Sequence, residues 1–396
     1  MTTALHVIPQ EIHLIGINGS GMSGLAQCLS QLSKTVSGSD LYLSDETDKL
    51  TSHGVKIYRG HSRSNLNNVK LVVASDAIPK SNSELNEARL RGIPILSRSA
   101  CLNLICEEKC SVMVAGSHGK TTTAAMISWI LRNADMDPSF AIGANVPNLL
   151  SQRAHIGNGE HFIVEACEAF RNLHTFCPSY AVINNIDEEH LNHYGSQEAL
   201  DQAFLEFANR ATNSVIVNGD DPGIQRILPQ ISRPIISYGL SRTNTVCAVN
   251  YQYNLNGASF EVFINGKYEG VVKLTIPGKH VLMNALASIA CVLILGIDFS
   301  SIAKSLSQFT GVKRRWERYE LNNQFILIDD FAHHPSQIAA LADTALALRL
   351  PNQRIVIAFQ PQLYSRTKSL LKEFSRELAR FDQVLLFEID GAGERD

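Results

Sequence analysis

The sequence predicts an α/β protein of three domains, and three observations predict it. Short apolar runs alternate with helix-like stretches in three successive blocks, the pattern of strands joined by crossover helices. The blocks are punctuated by the charged segment Glu107, Glu108, Lys109 and by the hinge-like Gly311-Val312-Lys313. At 396 residues the chain is also too long for one ordinary core. The boundaries that follow are 1–108, 109–311 and 312–396.

In the first block the apolar run Ile12 to Gly16 breaks at glycines and a helix-like stretch follows from Met22 to Leu32. β-rich runs recur at Val55 to Tyr58, Leu71 to Ala74 and Ile93 to Leu96, and a helix over Glu84 to Arg91 stops at Gly92. Strands separated by helices imply a parallel, doubly wound, Rossmann-like sheet. The second block opens on Ser111 to Gly116, turns through glycine into a helix from Thr121 to Arg132, and adds strands at Phe162 to Glu165, Tyr180 to Ile183 and Ser214 to Val217. A helix over Gln197 to Arg210 fills the last crossover. Residues 245–276 alternate polar and apolar through Asn256-Gly257 and Asn265-Gly266, which predicts an antiparallel insertion or flap. Helices over His280 to Leu295 and Ser301 to Phe309 close the block. The third block is again Rossmann-like: strands Phe325 to Asp329, Arg354 to Phe359 and Gln383 to Phe387, with helices Pro335 to Leu348 and Ser369 to Arg380 between them.

Composition excludes several classes. With 45% hydrophobic and 18% charged residues the chain is globular rather than disordered. Lys+Arg 35 against Asp+Glu 38 gives a net charge of −3, so no nucleic-acid partner is expected. No apolar stretch reaches the roughly 20 residues of a membrane span and the N-terminus has no signal-peptide pattern, which predicts a cytoplasmic protein without membrane insertion. Eight scattered cysteines without a C-x-x-C pair predict reduced, mostly buried thiols rather than a metal framework.

The strongest motif is AGSHGKTTT, Ala115 to Thr123. A strand delivers the chain to Gly116, and Gly119-Lys120-Thr121 opens a helix, so backbone N–H groups and a helix N-terminus face one point that favours phosphate. Lys120 would neutralise β- and γ-phosphates, and the Thr121 hydroxyl would ligate Mg²⁺. The full Walker pattern is not met, because its first glycine falls on Val114. The weaker GINGSGMSG, Gly16 to Gly24, is read equally as a nucleotide-diphosphate site or as a tight turn. Asn18 stands at its second glycine position, and Asp40 ends the next strand where an acidic ribose ligand belongs. Two phosphate-type loops suggest two nucleotide-bearing ligands, one more than a nicotinamide-dependent oxidoreductase needs.

Glu165, at a strand end, is a candidate carboxylate for Mg²⁺. Taken by itself, His190 reads as a surface-loop histidine near His193. Lys313, Arg314 and Arg315 form either a solvated basic turn or a reach into an interdomain cleft toward a moving phosphoryl group. Ile328 to Ile338 (IDDFAHHPSQI) and Phe359 to Thr367 (FQPQLYSRT) crowd polar residues at strand ends, where open α/β sheets bind ligands.

These blocks, in their order, resemble the Mur ligase family and within it the alanine-adding branch: GINGSGMSGLAQ, SGSD, SDAIPKSN, AGSHGKTTT, EACE, NNIDEEHL, PGKHVLMNA, GVKRRWE, DDFAHHP and FQPQLYSRT. The resemblance spans Ile12 to the last residue. It implies an ADP-forming ligase that uses ATP and Mg²⁺ to join L-alanine to the lactyl carboxylate of UDP-N-acetylmuramate through an acyl phosphate, in peptidoglycan precursor synthesis. By matching position it implies that Gly116, Ser117, His118, Gly119, Lys120, Thr121, Thr122, Asn284, Arg315 and Asp330 bind ATP. Gly16, Asn18, Gly19, Ser20, Gly21, Met22, Ser23, Asp40, Ser75 and Ala77 would bind the UDP sugar, and His333, His334 and Arg366 the amino acid. Thr121, Glu165 and His190 would surround the metal, which reverses the loop reading of His190, and Lys120, His190 and Arg315 would serve the chemistry.

Three departures bear on this. No lysine lies between His190 and Ile264, where sister ligases carry a carbamylated one, and that agrees with the alanine-adding branch. Val281 stands where the family usually has Asn, and Gln362 where it usually has His. Glycine or L-serine is the nearest alternative to L-alanine. Further alternatives are a Mur-type ligase for another amino acid or peptide, or a nucleotide-binding module without turnover. The family's third domain runs on for further β/α units, so the expectation is an interrupted third sheet in a chain that continues or is fused C-terminally.

Overall fold

The computed structural model describes residues 7–187, 194–320, 325–391 and 394. The first block forms one parallel sheet of β1 (Glu11–Ile15), β2 (Thr35–Asp40), β3 (Lys56–Arg59), β4 (Leu71–Ala74) and β5 (Ile95–Ser97), in the order β3-β2-β1-β4-β5. The order reverses beside β1, so the loop after Ile15 lies at the topological switch point, where doubly wound sheets bind ligands. The helix Ser20–Gln31 packs Met22, Leu25, Cys28 and Leu29 inward. Its Gly19 N-cap offers no side chain, which leaves the first-turn N–H groups open to a ligand. Ser83–Leu90 ends at Arg91, and Gly92 takes φ 66°, the left-handed stop its sequence predicted.

The second block is a single ten-stranded sheet. Its strands are β6 (Cys110–Ala115), β7 (Ser139–Val146), β8 (Gln152–His155), β9 (His161–Glu165), β10 (Tyr180–Ile183), β11 (Ser214–Asn218), β12 (Ile235–Gly239), β13 (Val246–Asn254), β14 (Gly257–Ile264) and β15 (Lys267–Leu274). The order is β15-β14-β13-β12-β11-β10-β6-β9-β7-β8. The expected antiparallel flap is therefore an extension of the main sheet, because β13 pairs in parallel with β12 at Tyr238 and Gly239 before turning antiparallel into β14. Apolar alternation within 245–276 could not reveal which edge it joins. Asn265 (φ 50°) and Gly266 (φ 78°) are both left-handed, as a primed hairpin turn requires, whereas at Asn256-Gly257 only the glycine is left-handed, at φ 134°. The long helix Lys279–Ile294 packs on Lys120–Asn133, and both bury their apolar faces against the sheet.

In the third block the strand Ile326–Asp329 pairs antiparallel with Glu317–Glu320, and Val356–Phe359 pairs in parallel with Gln383–Leu386. Among the described residues the three expected strands thus do not share one sheet. The charged ERYE run gave no apolar strand signal, yet it is the local partner that captures Ile326–Asp329. The predicted helix from Ser369 to Arg380 is two, Tyr364–Ser369 and Leu371–Leu378. A small core of Ile338, Ala342, Ile357, Phe359, Phe374 and Phe381 holds this block, while all four residues of Gln383–Leu386 are exposed. All eight cysteines are free; five are buried and Cys177 is exposed. No described helix is long and apolar enough to cross a membrane.

Candidate active site

Two strand-to-helix loops build the candidate site. After β6 the chain bends at Gly116 (φ 133°) and Gly119 (φ 79°), conformations that L side chains rarely adopt. A Cβ on Gly119 would collide with Asn284 Oδ1, and one on Gly116 would press on Asn184. These glycines let the backbone of Ser117 and His118 settle against the end of β10, where His118 N donates to Asn185 Oδ1 at 2.7 Å. Lys120 begins the helix. Its ammonium donates to the Gly116 and Ser117 carbonyls and pairs with the buried Glu168 at 2.9 Å, so it is held inside the loop it would share with a polyphosphate. One residue on, Thr121 Oγ1 lies 3.0 Å from Glu165 Oε1, and Gly143 N donates to Glu165 Oε2 at 2.8 Å. A hydroxyl and a carboxylate side by side are hard oxygen donors of the kind Mg²⁺ takes, so this pair fits that ion. His190 lies outside the described residues, and among those described no group of three His, Cys, Asp or Glu gathers as a metal cluster.

A cavity of about 410 Å³ opens over this loop, and the third block closes its far side with Arg315, Asp330, Ser336 and Gln337. Asp330 fixes the hinge, accepting from Trp316 N at 2.8 Å and from Ala332 N at 2.9 Å. The Arg315 guanidinium stands 5.4 Å from the Phe331 ring centre. Thr122 and Asn284 also line the cavity, and Asn284 Oδ1 accepts from Thr123 at 3.4 Å. His118 ties the halves together: Nε2 is 2.9 Å from Asp187 and 2.7 Å from Ser336 Oγ, and Nδ1 is 3.2 Å from Gln337 Nε2. Contact with His118 holds the Asp187 carboxyl below its usual range against the opposing effect of burial. His333 and His334 lie beside this junction. Burial and the nearby cations, Arg366 among them, lower their imidazoles to about 4 and about 3.

Residues the sequence reading passed over also line the cavity. Lys279 and His280 belong to PGKH, whose chemistry-bearing side chains were overlooked, and burial lowers the His280 imidazole. His280 Nδ1 has no hydrogen-bond partner among the described residues, an orphan that a ligand in the cavity could satisfy. Asn184 sits at the end of an apolar strand, accepts from Tyr238 and donates to Thr123. Glu168 is the second acid of EACE. The polar pair after an apolar strand was the available signal for Asn184, but nothing in the sequence said that Glu168 would meet Lys120.

The first loop is the other half. Gly16 (φ 84°), rather than Asn18, supplies the left-handed residue. Gly16 N and Ile17 N both donate to Ser39 O, at 2.8 and 3.1 Å. Asp40 accepts from Asn18 N at 3.0 Å and Ser44 donates to Asn18 Oδ1, so both polar side chains brace the loop. Gly19, Ser20, Gly21 and Ser23 follow at the start of the helix, where a Cβ on Gly21 would press on Arg98, while Met22 is buried beneath. Ser75 and Ala77 close the rim after β4, with Ala77 N 3.4 Å from Ser75 Oγ. Glu46 links this block to the second, accepting from Asn145 at 3.1 Å and lying 3.6 Å from Arg153.

Three family profiles match in the same order: the Mur ligase family catalytic domain over residues 11–109, the Mur ligase middle domain over 114–292 and the Mur ligase glutamate ligase domain over 314–396. The chain is 41% identical over 388 residues to a UDP-N-acetylmuramate–L-alanine ligase of Endomicrobium trichonymphae, covering 98% of this chain and 86% of that one. It is 40% identical to one of Dictyoglomus turgidum, covering 98% and 83%. The crystal structure of a UDP-N-acetylmuramate–alanine ligase from Thermotoga maritima superimposes with a TM-score of 0.84 at 29% identity, over 97% of this chain and 86% of that one.

Proposed function

Because the chain belongs to the Mur ligase family, we propose that it joins L-alanine to the lactyl carboxylate of UDP-N-acetylmuramate at the expense of ATP, releasing ADP and phosphate in peptidoglycan precursor synthesis. The observation that carries this reading is a phosphate-type loop, with Lys120, Thr121 and Glu165, facing Arg315 and Asp330 of the following block across one cavity. In this reading residues 1–108 take the sugar nucleotide, 109–311 take ATP and 312–396 bring the amino acid.

A carboxylate resists attack by an amine, because its negative charge repels the nucleophile and it has no leaving group. Transfer of the γ-phosphoryl group to the lactyl carboxylate makes an acyl phosphate, and the alanine amine then displaces phosphate through a tetrahedral intermediate. The protein's work is to position the reactants and stabilise charge. Lys120 exchanges Glu168 for the β- and γ-phosphates. The helix N-terminus behind Gly119 and the backbone N–H groups of Ser117 and His118 add donors to the same charge. Arg315 approaches from the opposite wall, where an always-charged planar cation matches the moving phosphoryl oxygens. Thr121 and Glu165 would hold Mg²⁺, which would supply neutralisation of phosphate charge. Neutral His333 and His334 beside Arg366 offer a carboxylate-binding corner for the amino acid.

The test is ADP release assayed with each substrate omitted in turn. Release that requires both UDP-N-acetylmuramate and L-alanine is expected, and release indifferent to the sugar nucleotide would overturn the reading. Glycine and L-serine in the same assay decide the amino acid.

A further inference from the structure

Beneath the first loop lies a fully buried carboxylate that the ligase chemistry does not touch. Glu84, in the first turn of Ser83–Leu90, is 0% exposed. Its Oε2 accepts from Ser39 Oγ at 2.6 Å and lies 3.0 Å from His61 Nδ1. Its Oε1 accepts from Asn65 Nδ2 at 2.7 Å and from Ser62 N at 3.3 Å, and His13 Nε2 is 3.5 Å away. Burial raises the carboxyl pKa, but the nearby His13 imidazole and the hydrogen bonds from Ser39 and Asn65 outweigh it and hold the group at about 2, so it is ionised near neutral pH. An ionised carboxylate out of water is costly unless every lone pair is used, and here donors from several segments use them.

One of those donors, Ser39, borders the loop that would hold the sugar nucleotide. Ser39 is the last residue but one of β2, and its carbonyl receives both Gly16 N and Ile17 N, the bend that opens the glycine loop. His61 and Ser62 follow β3, Gly60 N donates to the Asp40 carbonyl at 2.7 Å, and Ser83 Oγ donates to the His61 carbonyl at 3.1 Å. One carboxylate thus ties the C-terminal ends of β2 and β3 to the helix Ser83–Leu90 and, through Ser39, sets the loop after β1. The titratable groups facing it are His13 from β1 and His61 after β3.

We infer that Glu84 is a positioning residue for sugar-nucleotide binding: from below it fixes the register of the Gly16–Gly19 loop against Asp40, without touching the ligand. This rests on the assignment of that loop under the proposed function. Glu84→Gln keeps the shape but removes the negative charge and puts an amide N–H either against the donors Asn65 Nδ2 and Ser62 N or against Ser39 Oγ, where it reverses that hydrogen bond, so the loop should lose its set geometry while the ATP loop does not.

The experiment compares steady-state kinetics of the full chain and of Glu84→Gln and Ser39→Ala, with calorimetric titration of UDP-N-acetylmuramate. For Glu84→Gln we expect the KM for UDP-N-acetylmuramate to rise about tenfold or more, with kcat and the KM for ATP within about twofold. Ser39→Ala, which keeps the carboxylate but cuts its link to the loop together with the 2.9 Å contact between Ser39 Oγ and His61 Nδ1, should raise the same KM about threefold. A purely structural role would lower the yield of active enzyme or shift both KM values together, and that result would overturn the inference. So would a sugar-nucleotide KM unchanged in Ser39→Ala, which decides the matter if Glu84→Gln does not fold. Failure of the unsubstituted protein to bind UDP-N-acetylmuramate would overturn the functional reading itself, whereas equal binding by all three proteins would overturn only the role of Glu84.

Discussion

The loop after β1 and the loop after β6 are built from the same backbone parts: a buried parallel strand, a left-handed glycine, and a helix whose N-cap is glycine. Their side chains differ. The second carries a cation, Lys120, and a hydroxyl–carboxylate pair, whereas the first is braced by Ser39, Asp40 and Asn18 and brings no lysine or arginine within Gly16–Ser23. Under the proposed function the first loop only has to keep a diphosphate in place, for which backbone N–H groups and a helix terminus suffice. A phosphoryl group that leaves its partner must also have the charge that develops in transit stabilised, and backbone dipoles alone do not do that.

This contrast can be broken at its strongest point first. Arg315→Ala and Lys120→Ala should each lower kcat by about 10²–10³-fold or more while leaving calorimetric binding of UDP-N-acetylmuramate unchanged. A loss of sugar-nucleotide binding in either would erase the division of labour. Next, Glu165→Gln should raise the Mg²⁺ concentration needed for half-maximal ADP release by about 10-fold or more, with no effect on the KM for the sugar nucleotide. The two glycines provide a matched pair. Gly119→Ala and Gly16→Ala each force an L side chain into the left-handed region at about 1–2 kcal/mol, and Gly119→Ala adds the clash with Asn284. Each should weaken its own nucleotide and spare the other, with the larger effect at Gly119.

The smallest effect is on pH. His333 and His334 fall from 6.5 in the unfolded chain to about 4 and about 3 in the folded protein, so between these values the unfolded state binds more protons. Stability attributable to them is complete above pH 6.5 and declines as pH falls through that window. The lowered carboxyl of Asp187 adds a further loss below its ordinary value of 3.8. Melting temperature should therefore drop progressively from pH 7 to pH 4, and His334→Asn should flatten part of that slope.

Much of this molecule was legible without coordinates. The period of apolar residues placed most strands within a residue or two, because buried parallel strands must be apolar whatever surrounds them. Both glycine loops were legible too, since left-handed turns and close approach leave few residue choices. Sequence order alone determined the alternation of β and α, the two glycine-bearing strand-to-helix loops and the family resemblance. What it could not fix was who meets whom across long separations. Ile326–Asp329 pairs with a charged neighbour rather than with the apolar strands after it, and residues 245–276 extend the central sheet rather than standing apart. Lys120 meets Glu168, His118 reaches Ser336, and Glu84 gathers Ser39, His61 and Asn65. Local patterning is written by each residue's own burial and backbone preference. These meetings depend on desolvation and hydrogen-bond satisfaction, which come into being only when distant segments share a buried space.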